Sequence, residues 1–149
     1  MSLQTWLQNS WLMRHATTPD EITNLLAISD RDLAACQARD LPPDWRFVIA
    51  YNAALQSATA ALAAAGYRAS RDNHHYRVIQ SLEFTVSPGA AFIARFDSFR
   101  KKRNISSYDA VGAISDQEVK EMFALARQLR AAVEAWIRQA HPKLLICAK

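Results

Sequence analysis

Glycine is scarce in this sequence, with three among 149 residues. A turn-rich β-sandwich draws on glycine for its tight turns, so the scarcity argues against that class. Abundant alanine, the best helix former, points the other way. The two cysteines, Cys36 and Cys147, supply neither a disulfide framework nor zinc-ligand spacing. No glycine-rich phosphate loop, nucleophile elbow or HExxH occurs, so no cofactor and no metal is expected. A long apolar run is missing too. The most apolar stretch, 53–65, is mostly alanine interrupted by Gln56, Ser57 and Thr59, and it is short for a bilayer span. The opening MSLQTWLQNSWLMRH has no charged region ahead of an apolar core, so no signal peptide is expected and a reducing cytoplasm is the expected location.

What is present suits a packed helical chain. Apolar residues make up 50% and charged residues 21%, as expected for one globular domain spanning 1–149. The net charge of +4 is local. Arg95, Arg100, Lys101, Lys102 and Arg103 face one acid, Asp97, within residues 95–103, and the rest of the chain is neutral. A local basic segment suits a phosphate-bearing partner better than an evenly basic coat does.

Helical periodicity dominates. Val119, Met122, Ala126, Leu129, Val133, Trp136 and Ala140 step by threes and fours, flanked by Phe123 and Ile137. Ser115-Asp-Gln-Glu118 is a capping box at the start of that helix, and Pro142 marks its end. A second long helix is expected from about Asp44 to Ala65, with Tyr51, Leu55, Ala58 and Leu62 on its stripe and Gly66 at C′. Thr18-Pro19-Asp20-Glu21 starts another, carrying Ile22, Leu25, Leu26, Leu33 and Cys36, with a pause near Ser29-Asp30 and an end at Pro42-Pro43. Further helices are expected at about 3–14, 73–86 and 88–103, the last opened by Ser87-Pro88. The expected fold is an all-α antiparallel bundle of five to six helices.

On the 88–103 helix, Phe92, Phe96 and Phe99 share a face, and the three-four stepping continues to Arg103. Lys101 points away, and Arg100 and Lys102 flank the stripe. An arginine on a core-facing stripe snorkels, pairs with an acid or faces a cleft that takes an anion. Asn104 is either a binding group or a helix C-cap, and Tyr108 either packs or donates a hydrogen bond near Arg103. His74 and His75 open a separate helix, capped by Asp72 or Asn73. Adjacent helical side chains diverge by about 100°, so one histidine at most faces a given cleft. The four tryptophans lie outside the basic segment and read as packing residues.

Arg103-Asn104-x-x-x-Tyr108 resembles the signature of HEPN domains, the higher eukaryotes and prokaryotes nucleotide-binding superfamily. Other stretches resemble that family's helices: Ile28-Ser-Asp-Arg-Asp-Leu33, Tyr51-Asn-Ala-Ala-Leu55 and His74-His75-Tyr76-Arg77-Val78-Ile79. The resemblance implies a small helical bundle, commonly a homodimer. It also implies a phosphate-binding arginine at Arg103, metal-free RNA cleavage in the catalytic members, and a toxin–antitoxin or defence setting with an antitoxin or nucleotidyltransferase partner. Tyr108 stands where the family's signature has histidine. An ordinary phenol titrates near pH 10 and is a poor base at neutral pH. The expectation is therefore an RNA- or nucleotide-binding module of weak or no catalytic power, with Arg103, Asn104 and Tyr108 at its centre and Arg100, Lys101 and Lys102 as further nucleic-acid contacts. A metal-independent ribonuclease, and a module docking an acidic protein, are the alternatives.

Overall fold

Thr18 and Ser115 mark the starts of two helices as the sequence indicates. In the computed structural model, which describes residues 1–108 and 114–145 and all of their side chains except those of 105–108, six α-helices account for most of the chain. They are α1 (Leu3–Gln8), α2 (Pro19–Ala35), α3 (Pro43–Ala64), α4 (His74–Gln80), α5 (Ala90–Tyr108) and α6 (Asp116–Ala140). A short 3-10 turn (Ser81–Phe84) extends α4. The Thr18 hydroxyl accepts the Glu21 N–H at the head of α2. At α6 the capping box is complete: Ser115 Oγ accepts the Glu118 N–H at 3.1 Å, and Glu118 Oε1 accepts the Ser115 N–H at 3.0 Å.

The fold is organised around α3. Its small alanines and its larger Phe47, Tyr51, Leu55 and Leu62 are buried around most of its circumference, the signature of a helix at the centre of a bundle. Helices α2 and α6 form its main walls. Alanine at 53, 54, 58, 60 and 61 removes side-chain bulk and lets those walls come close. Among the described residues α3 is long and apolar enough to cross a bilayer, yet 72% of its apolar window is buried inside the bundle.

Several boundaries differ from expectation for identifiable reasons. The helix expected over 3–14 stops at Gln8. Ser10 then turns at φ 64°, and β1 (Leu12–Arg14) pairs antiparallel with β2 (Tyr67–Ala69), Leu12 opposite Ala69. That long-range pairing satisfies backbone groups that a longer helix would have satisfied locally. α2 runs through Ser29 without a pause. The Ser29 hydroxyl donates to the Ala53 carbonyl at 2.8 Å and meets Ser57 Oγ at 2.9 Å, so the polar side chain is used across the α2–α3 seam. Pro42-Pro43 belongs to the start of α3, with Pro43 at its first position, while α2 ends earlier at Ala35. Ser87 does not cap α5. Its hydroxyl donates back to the Glu83 carbonyl at 2.9 Å, and the helix begins at Ala90, after Gly89 at φ 103°. On α6, Leu125 and Ile137 are buried while Trp136 is half-buried and Ala140 exposed. Position 137 lies about five full turns from Val119 and so returns to the same face.

Candidate functional site

The register of α5 carries the argument about Arg103. The helix continues past Arg103 to Tyr108 without a break, so the stripe of Ile93, Phe96 and Phe99 leads to Arg103 as its spacing requires. Arg103 is half-buried and Lys101 exposed. Tyr108 lies five positions on, about 140° around the helix from Arg103, and its side chain lies outside the described residues. Asn104 is inside the helix and exposed, so it is not a C-cap. Its Oδ1 accepts from Arg103 Nη1 at 3.5 Å.

The structure brings other groups to Arg103. Phe96 packs edge-on against Tyr51 of α3 with ring centroids 5.9 Å apart, and Phe99 packs in the same way on Phe47 at 5.7 Å. These contacts seat α5 on α3. The Arg103 guanidinium then lies 5.8 Å from the Tyr51 ring centre, within cation–π range. The Tyr51 hydroxyl meets His75 Nδ1 at 3.3 Å. Arg100 lies 5.4 Å from the ring of Tyr76, the residue after His75, and its Nε donates to Asp97 Oδ1 at 2.7 Å. Arg100, Arg103, Tyr51 and His75 thus meet where α3, α4 and α5 converge. His74 is exposed and His75 half-buried, as the divergence of neighbouring helical positions requires.

Arg100 and Lys102 are not a free solvated flank. Arg100 is half-buried against Asp97, and Lys102 Nζ reaches Glu118 Oε2 at 3.1 Å. Lys101 Nζ is 3.7 Å from Asp97 Oδ2 and exposed. The N-terminal part of α6 therefore offsets some of the charge that the sequence concentrates in α5.

Electrostatics at the convergence are consistent with the geometry. Burial, and next the positive charge of Arg103, His74 and Arg100, hold the His75 imidazole below the ordinary histidine range. Burial pushes the Tyr51 phenol well above its usual value, although Arg103 and Arg100 pull the other way. At neutral pH the pair is a protonated phenol beside a neutral imidazole, flanked by two permanent cations. Such a group of residues can bind an oxyanion and offers a neutral imidazole next to it.

Tyr51 and Asp97 were not singled out from sequence as site residues. Tyr51 reads as one more residue of an apolar stripe, and its link to His75 spans 24 positions of sequence. Asp97 does carry a local signal, since it stands three and four residues before Arg100 and Lys101. Among the described residues no group of three His, Cys, Asp or Glu side chains is placed to hold a metal ion. A groove of about 460 Å³ lies between the 3-10 turn and the start of α5, lined by Gln80, Glu83, Ser87 and Ile93 among others, and it includes none of the four converging residues. Set beside known proteins, the chain matches no protein-family model, no curated protein and no solved structure.

Proposed function

We propose that the convergence of α3, α4 and α5 binds a phosphate group of RNA or of a nucleotide, with Arg103 and Arg100 as its principal cations. The observation that carries this reading is the placement of two half-buried arginines of one helix around Tyr51, His75 and Tyr76, on the segment that holds the chain's excess positive charge. Arginine in this setting suits phosphate because its planar fork gives paired hydrogen bonds. The HEPN-like signature at Arg103-Asn104 supports the same reading and rests on those sequence stretches alone. By that resemblance the protein is a cytoplasmic homodimer of a toxin–antitoxin or defence system.

The test is RNA binding by the full chain in chelator, followed across a salt series. Arg103→Ala should weaken binding by about ten- to a hundredfold, the value of a charge-assisted contact. It should also flatten the dependence of log K on log salt by about one unit. Unchanged affinity and slope would sink the proposal. Metal-independent cleavage is the second reading, favoured by the neutral imidazole beside the arginines. RNA fragments formed in chelator by the wild type, and lost in Arg103→Ala, would establish it.

A further inference from the structure

Tyr51 is 1% exposed, and its hydroxyl meets Nδ1 of His75, so that edge of the imidazole is turned toward the core. The Nε2 edge lies on the other side of the ring. With the phenol protonated and the imidazole neutral, the 3.3 Å contact runs either from the phenol O–H to a free Nδ1 lone pair or from Nδ1–H to the phenol oxygen; the first arrangement is the one taken here. A neutral imidazole that accepts at Nδ1 carries its proton on Nε2.

We propose that His75 is the third phosphate contact of this site, donating from Nε2 to an oxygen held by Arg100 and Arg103, and that the Tyr51 hydroxyl is the positioning group that fixes this tautomer. The proposal rests on the phosphate-binding reading and adds a neutral, tautomer-locked donor to two permanent cations. Other groups near His75 fit it. His74 is exposed, Tyr76 is occupied by the Arg100 and Arg77 guanidinia at 5.4 and 5.6 Å, and Asp97 is engaged by Arg100 and Lys101. Arg68 of β2 and Glu83 of the 3-10 turn, the charged residues of the remaining neighbours of α4, are exposed. A bound oxyanion adds negative charge beside the imidazole and makes its protonation easier, so binding and proton uptake are linked.

The experiment measures inorganic phosphate and sulfate binding by calorimetry, with folding of each variant checked by circular dichroism. Glutamine places its amide N–H₂ near the Nε2 position and asparagine near Nδ1. At pH 7.5 His75→Ala and His75→Asn should weaken phosphate by about tenfold, and His75→Gln by no more than about threefold. Sulfate does not titrate in this range. Its affinity should rise as pH falls below about 6.5 in the wild type and stay flat in His75→Gln. Tyr51→Phe should move the His75 Nδ1 signal in nitrogen-15 spectra and weaken phosphate binding. A 5′-phosphorylated RNA compared with its unphosphorylated form distinguishes a terminal from a backbone phosphate. If Arg103→Ala abolishes phosphate binding while His75→Ala equals the wild type, or if glutamine does no better than alanine, the third contact is wrong and the arginine site stands. If the wild type binds no phosphate, both fall.

Discussion

At the scale of single residues, the buried Tyr51–His75 pair makes a statement about pH. A histidine whose folded-state value lies below its unfolded one binds fewer protons when folded, so stability rises with pH across the interval between the two values. The wild type should lose stability as pH falls from about 6.5 toward the folded value, and His75→Gln should remove that part of the loss in urea titrations. For Tyr51 the sign is opposite at the alkaline end. The folded chain keeps the phenol proton after the unfolded chain has released it, so stability falls above about pH 10 and Tyr51→Phe flattens that limb. Arg103 could be placed on an inward face from sequence because helical spacing is local information. Its neighbours could not. His75 reaches the site through Tyr51, and nothing in the spacing of residues 51, 75 and 103 announces that three helices bring them together.

At the scale of elements, α3 shows why a long helix can have a weak amphipathic pattern and still be firmly placed. Alanines on several faces allow α2 and α6 to close on it from different sides. Ala58→Leu, at a position with no solvent exposure, should therefore cost about 1–3 kcal/mol through overpacking, and Leu62→Ala about 2–5 kcal/mol through the cavity it leaves, both read from chemical denaturation. Ser115→Ala removes one half of a complete capping box and should cost about 1 kcal/mol. The starts of α2 and α6 were legible because Thr18 and Ser115 cap them with their own side chains. The end of α1 and the start of α5 were not. Ser10 and Ser87 adopt positive φ, and the first serves a strand pairing across about 55 residues. The buried Asp32, held by Asn52 Nδ2 at 2.6 Å, likewise shows no sequence sign of its partner twenty positions away.

At the scale of the whole molecule, the charge excess and the fold act against each other. The sequence gathers five cations near the middle of α5, and the bundle sets Glu118 and Glu121 of α6 opposite Lys102 and Arg95. On the proposed function, these acids would reduce long-range attraction for a polyanion and leave more of the binding to short-range contact at the convergence of helices. Reversing both lysines, Lys101→Glu with Lys102→Glu, should weaken RNA binding most at low salt. Melting temperature should fall modestly, since each reversal sets a carboxylate beside a partly buried acid, Asp97 or Glu118, in place of an ion pair. A large loss of melting temperature would show that the Lys102–Glu118 bridge holds the end of α5 to α6 more strongly than a surface pair does.

The N-terminal segment offers a practical handle on the same site. Arg77 lies 3.8 Å from the ring centre of Trp11 and 5.8 Å from that of Trp6, and the two indoles meet edge-on at 5.8 Å. Arg77 is two residues after His75 on α4. Any shift of that short helix must change the surroundings of two indole rings at once. If the proposed site fills and α4 shifts, emission from Trp6 and Trp11 should change without any label attached; unchanged emission at saturating phosphate would show that α4 stays in place.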